Sequence, residues 1–292
     1  MHMTRLLPVV LTTLLASAVT PSLAADTASF AVDTDVKLAS DQRTRGISDS
    51  LNRPGVKLSV QAAHESGLIG LVELSSVSKK QFFEGSGLGA TLAGGYRFGD
   101  SEGWHFGVGL AAEAFPGAKF QAPHVLDFEA GTSADFRATK YDSAFAVAEI
   151  GFGPLEGRVL NVISKTYRGA NTGGVCGTML LLMSDPTKAL ECYARGDHGS
   201  RGSWLIDVDY KLSLDPATTL GLHGGYQKIA NFKEANFSDL RIGVIHKRWG
   251  FDWGADWVTT NTRVRELYLV RDGERLRATD GNRFVVSVSR RL

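Results

Sequence analysis

The side chains in this 292-residue chain that could do chemistry are scattered histidines, two cysteines, and carboxylates and amines that alternate with apolar residues. Hydrolysis by a nucleophile needs a serine held against a histidine base, here on adjacent strands at one end of a fold. His64, His105, His124, His198, His223 and His246 are spread along the chain. His198-Gly199-Ser200 brings the two residue types together only by being short, and no Gly-x-Ser-x-Gly elbow is present. His105 and His223 fall on polar strand faces and read as ordinary lining. No catalytic residue is therefore expected. Cys176 and Cys192 belong to no CxxC, which argues against a zinc or redox centre. In an exported chain the two read as one disulfide, with two free thiols as the alternative. Closing a loop of about 15 residues in this way gains roughly 3 kcal/mol in the chain-entropy model. No metal or cofactor is expected.

The alternating charges carry more information, because their period reveals the elements that hold them. In Trp204 to Leu212 the even positions are Trp, Ile, Val, Tyr and Leu, while the odd positions include Asp207, Asp209 and Lys211. In Trp249 to Trp257 one face is Trp, Phe, Trp, Ala, Trp and the other Gly, Asp, Gly, Asp. A period of two sends these sets to opposite faces of a sheet. An apolar face rich in Trp and Tyr, backed by charge, suits lipid outside and water inside. Trp253 is then expected to meet lipid near the midplane, with Trp249 and Trp257 towards the two interfaces.

Twelve such strands can be read, over about 29–42, 55–63, 68–77, 88–98, 104–115, 141–152, 155–167, 201–214, 219–229, 237–247, 249–261 and 282–292. The facing of the sixth and seventh is ambiguous, since both are apolar on both faces in places. Five tight turns alternate with six longer gaps, and both chain ends fall on the tight-turn side. The predicted fold is all-β: a closed antiparallel transmembrane β-barrel of about 12 strands, with tight periplasmic turns and long extracellular loops. Pro116 to Lys140 shows only weak strand pattern. Arg168 to Ser200 is the longest gap.

The first residues read as a secretory signal: Arg5, an apolar run from Leu6 to Val19, and Ser22-Leu23-Ala24 at the cleavage position. Residues 1–24 are expected to be removed, leaving 25–292 as one barrel domain in the bacterial outer membrane. No later segment approaches the ~18 apolar residues of a spanning helix. The formal charge of +1 gives no reason to expect nucleic acid as a partner. Mean hydropathy near zero fits strands that average an apolar and a polar face.

Several stretches resemble one family. Ser40-Asp41, Arg45-Gly46-Ile47-Ser48 and Gly55-Val56-Lys57 look like the opening signature of the TorF-like porins of the bacterial outer membrane. Gly95-Tyr96-Arg97-Phe98, Phe115-Pro116-Gly117, Gly224-Gly225-Tyr226, Asn231-Phe232 and Ser238 to Val244 are similar to its later motifs. The resemblance implies an outer-membrane barrel that passes small solutes. One departure is the C-terminus. Leu292 stands where outer-membrane barrels usually present an aromatic residue to the assembly machinery, and Arg290 interrupts the apolar face.

With the apolar faces turned to lipid, the expected lumen lining is Asp33, Asp35, Lys37, Lys57, Glu73, Arg97, Glu113, Asp207, Asp209, Lys211, Arg241, Asp252 and Asp256, with Lys247 and Arg283 on the same face. The signs nearly balance, as in a mixed-charge pore for small hydrophilic solutes. The alternative is a salt-bridge web that fills a plugged structural or partner-binding barrel. Arg43 and Arg45 are expected at the pore mouth, either holding anionic solutes or pinning the first loop through Asp41 or Asp49. Within the cysteine-closed loop, Ser184-Asp185-Pro186 reads as a helix start. The apolar run Met179 to Met183 needs cover, so the loop is expected to form a lid.

Overall fold

A computed structural model describes residues 30–100 and 102–292, so the expected signal segment lies outside the described residues. Twelve strands form one closed antiparallel barrel: β1 (Phe30–Ala39), β2 (Gly55–His64), β3 (Leu68–Ser76), β4 (Leu88–Gly99), β5 (Trp104–Ala114), β6 (Ser143–Phe152), β7 (Leu155–Val162), β8 (Trp204–Ser213), β9 (Thr218–Lys228), β10 (Phe237–Arg248), β11 (Phe251–Thr262) and β12 (Arg283–Arg291). Each strand pairs with its neighbours in sequence. The ring closes where Asp35–Ala39 of β1 run antiparallel to Ser287–Arg291 of β12. Two further bonds extend the seam, Ser40 N–H to the Val286 carbonyl (2.9 Å) and Leu292 N–H to that of Thr34 (2.9 Å).

The two faces separate as the period demands. Leu92, Val108, Leu110, Ile150, Ile206, Val208 and Val286 form an exposed outer belt. Aromatic residues gather at its edges. Phe98, Trp104, Phe106 and Phe152 make one packed patch at the tight-turn rim, with neighbouring rings 5.1 to 6.5 Å apart. Trp204, Tyr226, Trp257 and Phe284 stand exposed nearer the other rim. An apolar band between aromatic girdles is what a bilayer requires of a barrel exterior. The ambiguous strands also resolve. Glu149 of β6 and Arg158 of β7 are cross-strand partners on the inward face, so Ile150 and Leu155 face out.

Register corrects the expectation for two tryptophans. Trp249 and Gly250 form the turn between β10 and β11, with φ of 55° and 76°. Both central residues of a type I′ hairpin need this region. Trp253 lies opposite His246, beside the tight-turn rim, and its indole N–H reaches the Arg248 carbonyl at 3.4 Å. The centre of the belt on these strands is Ala255, opposite Val244 on one side and Val286 on the other.

The long loops are structured. Residues Lys119–Asp127 and Thr132–Lys140 form a hairpin where the sequence showed only weak pattern. The longest loop holds α1 (Thr172–Leu182) and α2 (Thr187–Ala194). The sequence pointed to a helix start at Ser184-Asp185-Pro186. α2 does begin there, with the Asp185 carboxylate accepting from Thr187 N–H at 2.9 Å. The Met179 to Met183 run, by contrast, is mostly the end of a second helix. Gly173, Gly174 and Gly177 hid that helix, because glycine opposes the helical state by about 1 kcal/mol each.

From this register, Val244→Arg should destabilise the refolded barrel by roughly 2–4 kcal/mol in a denaturant titration, the cost of a charge at the lipid midplane. Trp253→Arg, close to the rim, should cost clearly less. Equal costs would show that the belt is centred elsewhere.

Candidate functional site: a charged lumen beneath an inward loop

The inward faces enclose a cavity of about 1050 Å³. Its wall runs from Arg43 and Asp49 under the loops to Gln61 and Arg97 towards the tight turns. Of the lining expected from sequence, Asp33, Lys37, Lys57, Glu73, Arg97, Glu113, Asp207, Asp209, Arg241 and Asp256 border it. Asp35, Lys211 and Asp252 lie on the inward face by register but outside this wall. Glu149, Arg158, Arg168, His223 and Asp239 also border the cavity. Asp239 was legible in principle, since it alternates with Leu240 and Ile242 on β10. Arg168 was not, because it comes from a loop.

The first loop is the decisive element. It does not stand at the mouth; it folds into the barrel, with Asp41, Ile47, Ser48, Asp49 and Leu51 all buried. Asp41 organises it, accepting from Ser48 Oγ (2.6 Å), Ser50 Oγ (2.8 Å) and Arg43 Nη1 (2.6 Å). Arg43 also donates to the carbonyls of Gly46 and Thr279, 2.6 and 2.9 Å away, which ties the first loop to the last. Arg43 is thus a staple within the loops.

Arg45 departs further from expectation. It pairs with neither Asp41 nor Asp49. It crosses the lumen to β8, where Nη1 meets Asp207 at 2.5 Å and Nη2 donates to the carbonyls of Ile206 and Tyr226. Gly46 makes the crossing possible. Its φ is +73°, and a Cβ there would lie 2.3 Å from Thr260 Cγ2. Below Arg45 the web continues. His223 bonds Asp209 through Nδ1 and Asp239 through Nε2, each at 3.0 Å, and Arg241 is 3.6 Å from Asp209. With both nitrogens on carboxylates, His223 has none to offer a serine.

Two other webs cross between elements. Arg168 donates to Glu113 of β5 at 2.8 Å and to Asp49 of the first loop at 2.9 Å. Burial alone would lower its pKa, but Asp49 and Glu113 outweigh that and raise it well above the ordinary arginine value. Arg97 and Arg158 share Glu149. Lys57 pairs with Glu73 at 3.3 Å.

The lid sits over the loop-side mouth. Cys176 and Cys192 form a disulfide joining α1 to α2. Val175, Met179, Ala189 and Tyr193 pack with the barrel-wall residues Phe145, Val162 and Leu205 and with the loop residues Ile229, Phe232 and Val264. Met179 is fully buried, while Leu181 on the same run is 83% exposed. Asn171 caps α1, accepting from Gly174 N–H and donating to Thr139 Oγ1 of the neighbouring hairpin. At the outer surface Asp272 gathers Arg53, Lys80 and Arg277 from three loop segments.

Residues 23–292 match the family described as a bacterial protein of unknown function, Gcw_chp. The chain belongs to that family. No curated protein matches this Gcw_chp member. Among solved structures it is similar to the KdgM porin, at 8% identity and a TM-score of 0.46 over 88% of this chain and 98% of that one. It is also similar to an outer membrane channel from Pseudomonas putida (12%, TM-score 0.40, 94% and 100% covered). A third likeness is to outer membrane phospholipase A from Escherichia coli (12%, TM-score 0.35, 89% and 95% covered).

Two outcomes follow from the site. Arg45→Ala and Asp207→Ala should each destabilise the barrel, and the double variant should cost less than their sum, with a coupling of roughly 1–3 kcal/mol in a denaturant-based cycle. Additivity would mean that the loop is not held by this pair. The second concerns Asp272. The hydrogen bond from Lys80, with help from Arg53 and Arg277, holds its carboxyl below the usual aspartate value, although burial opposes this. A lowered carboxylate pKa gives stability that is lost as pH falls through it. The clamp should stay closed at neutral and mildly acid pH and open only below about pH 3.9, the ordinary aspartate value. Protease nicking of the outer loops, followed against pH, would check this; nicking that begins near pH 6 would contradict it.

Proposed function

We propose that this Gcw_chp protein is a passive channel of the bacterial outer membrane for small hydrophilic solutes, of the kind that its Arg-Gly-Ile-Ser resemblance to the TorF-like porins suggests. The observation that carries the reading is a cavity of about 1050 Å³, bordered by charged residues of both signs, inside a barrel with an apolar exterior. Side chains packed only for stability would leave no such volume. In this reading residues 1–24 are a cleaved leader, the assembly machinery inserts the barrel, the tight turns face the periplasm and the long loops face outwards. Lys37, Lys57, Arg97 and Arg241 oppose Asp33, Glu73, Asp209 and Asp256 along the wall. Near-balanced signs of this kind favour weak ion selectivity over strong preference for one charge.

The inward first loop supports a second reading, a barrel plugged at rest. Planar-bilayer recording separates the two. Purified protein should give ohmic steps with weak selectivity between small anions and cations. Silence at all voltages would favour the plug. Reduction of the Cys176–Cys192 disulfide should leave the barrel intact but raise conductance or its noise, because α1 and α2 would no longer be tied over the mouth. Unchanged conductance after deletion of residues 177–191 would rule the lid out as a constriction.

A further inference from the structure

At the tight-turn end of the lumen stands a group of residues that the channel reading does not use. His105 of β5 is 4% exposed, and among the described residues neither of its ring nitrogens has a hydrogen-bond partner. A buried imidazole with no partner is costly, and such groups often mark a ligand. It lies beside Glu149 of β6 and Glu156 of β7, with one donor atom from each within 4.8 Å of the others. The three strands are adjacent. Gly151 of β6 is the cross-strand partner of both His105 and Glu156. A Cβ on Gly151 would lie 2.1 Å from His105 Nε2, so the imidazole occupies the place a side chain would fill and reaches across β6 towards Glu156.

We propose that His105, Glu149 and Glu156 bind one divalent cation that prefers a nitrogen ligand, of the zinc type. One imidazole and two carboxylates are a three-protein-ligand set that leaves a position open to water or to an anion from the lumen. Bonds of about 2.1 Å would draw the donor atoms to about 3.4 Å apart, a side-chain adjustment of roughly an ångström. Glu149 is already positioned by Arg97 and faces Arg158 at 3.5 Å, which leaves lone pairs for the metal. The two guanidiniums offset the two carboxylates. Calcium or magnesium, which bind through oxygen ligands and negative charge, gain little from such a centre. An ion of the zinc type gains the imidazole bond. A bound ion would tie β5, β6 and β7 together at the tight-turn end. The site does not depend on whether the barrel conducts.

The test is calorimetric titration of Zn²⁺ into the full, chelator-stripped, detergent-solubilised protein at pH 7.5. Wild type should take up one Zn²⁺ per chain. His105→Ala and Glu156→Gln should each weaken binding about tenfold or more, the scale on which a site loses affinity when its ligand set is disturbed. Gly151→Ala should do the same although all three ligands remain, and His105→Gln provides a near-isosteric check. His64→Ala, which removes an outward-facing imidazole, should leave the uptake unchanged. Heat-shifted gel migration verifies that each variant is folded. The proposal fails if wild type binds no Zn²⁺ at millimolar concentration, if folded His105→Ala binds as tightly as wild type, or if Ca²⁺ binds as tightly as Zn²⁺.

Discussion

A peptide group inside hydrocarbon has no water to bond, so each N–H and C=O must find a partner in the protein. An open sheet of these twelve strands would leave two edges unpaired in lipid. The seam between β1 and β12 removes both, and the rest of the structure depends on it. Once the ring closes, strand alternation is no longer a local preference. Each residue faces either lipid or lumen, and a slip of one position would exchange the two sets. Asp207, Asp209, Asp239 and Arg241 are inward because Ile206, Val208, Leu240 and Ile242 must be outward.

Closure also concentrates charge. Side chains from facing walls meet across a narrow, partly dehydrated space, where an unpaired charge is expensive and a paired one is held firmly. The arrangement reflects that pressure. Arg45 is drawn from a loop across to Asp207, Arg168 bridges Asp49 and Glu113, and Glu149 lies between Arg97 and Arg158. The loops follow their charges inward. The first loop is buried in the barrel because its acidic and basic residues find partners there, with Gly46 giving the backbone room to pass Thr260.

The lid obeys a different rule. α1 has little of the two-sided pattern that announces a helix, and it is stable because the barrel mouth supplies a surface for it. Met179 and Val175 meet Phe145, Val162 and Leu205, which are inward residues of the wall above the charged zone. The disulfide joins the two helices, so that ordering one restrains the other. Hydrophobic packing thus dominates the loop-side end of a lumen whose middle is held by ion pairs.

The sequence by itself determined the strand count, the alternation of turns and loops, and the inward face of most strands. These rest on a period-two signal that each strand carries alone, as Trp204 to Leu212 shows. It also placed the cysteine pair and the helix start at Asp185, which are local in the chain. Only the tertiary structure decided the partners. That Arg45 would find Asp207 rather than Asp41 or Asp49 depends on which wall faces the first loop. The facing of β6 and β7 was fixed by Arg97, on β4, and by the apolar lid. His105, Gly151 and Glu156 become one group only when β5, β6 and β7 are set side by side. Lateral register and distance across the barrel are properties of the closed ring. No window of sequence contains them, because the residues that meet are tens to more than a hundred and fifty positions apart.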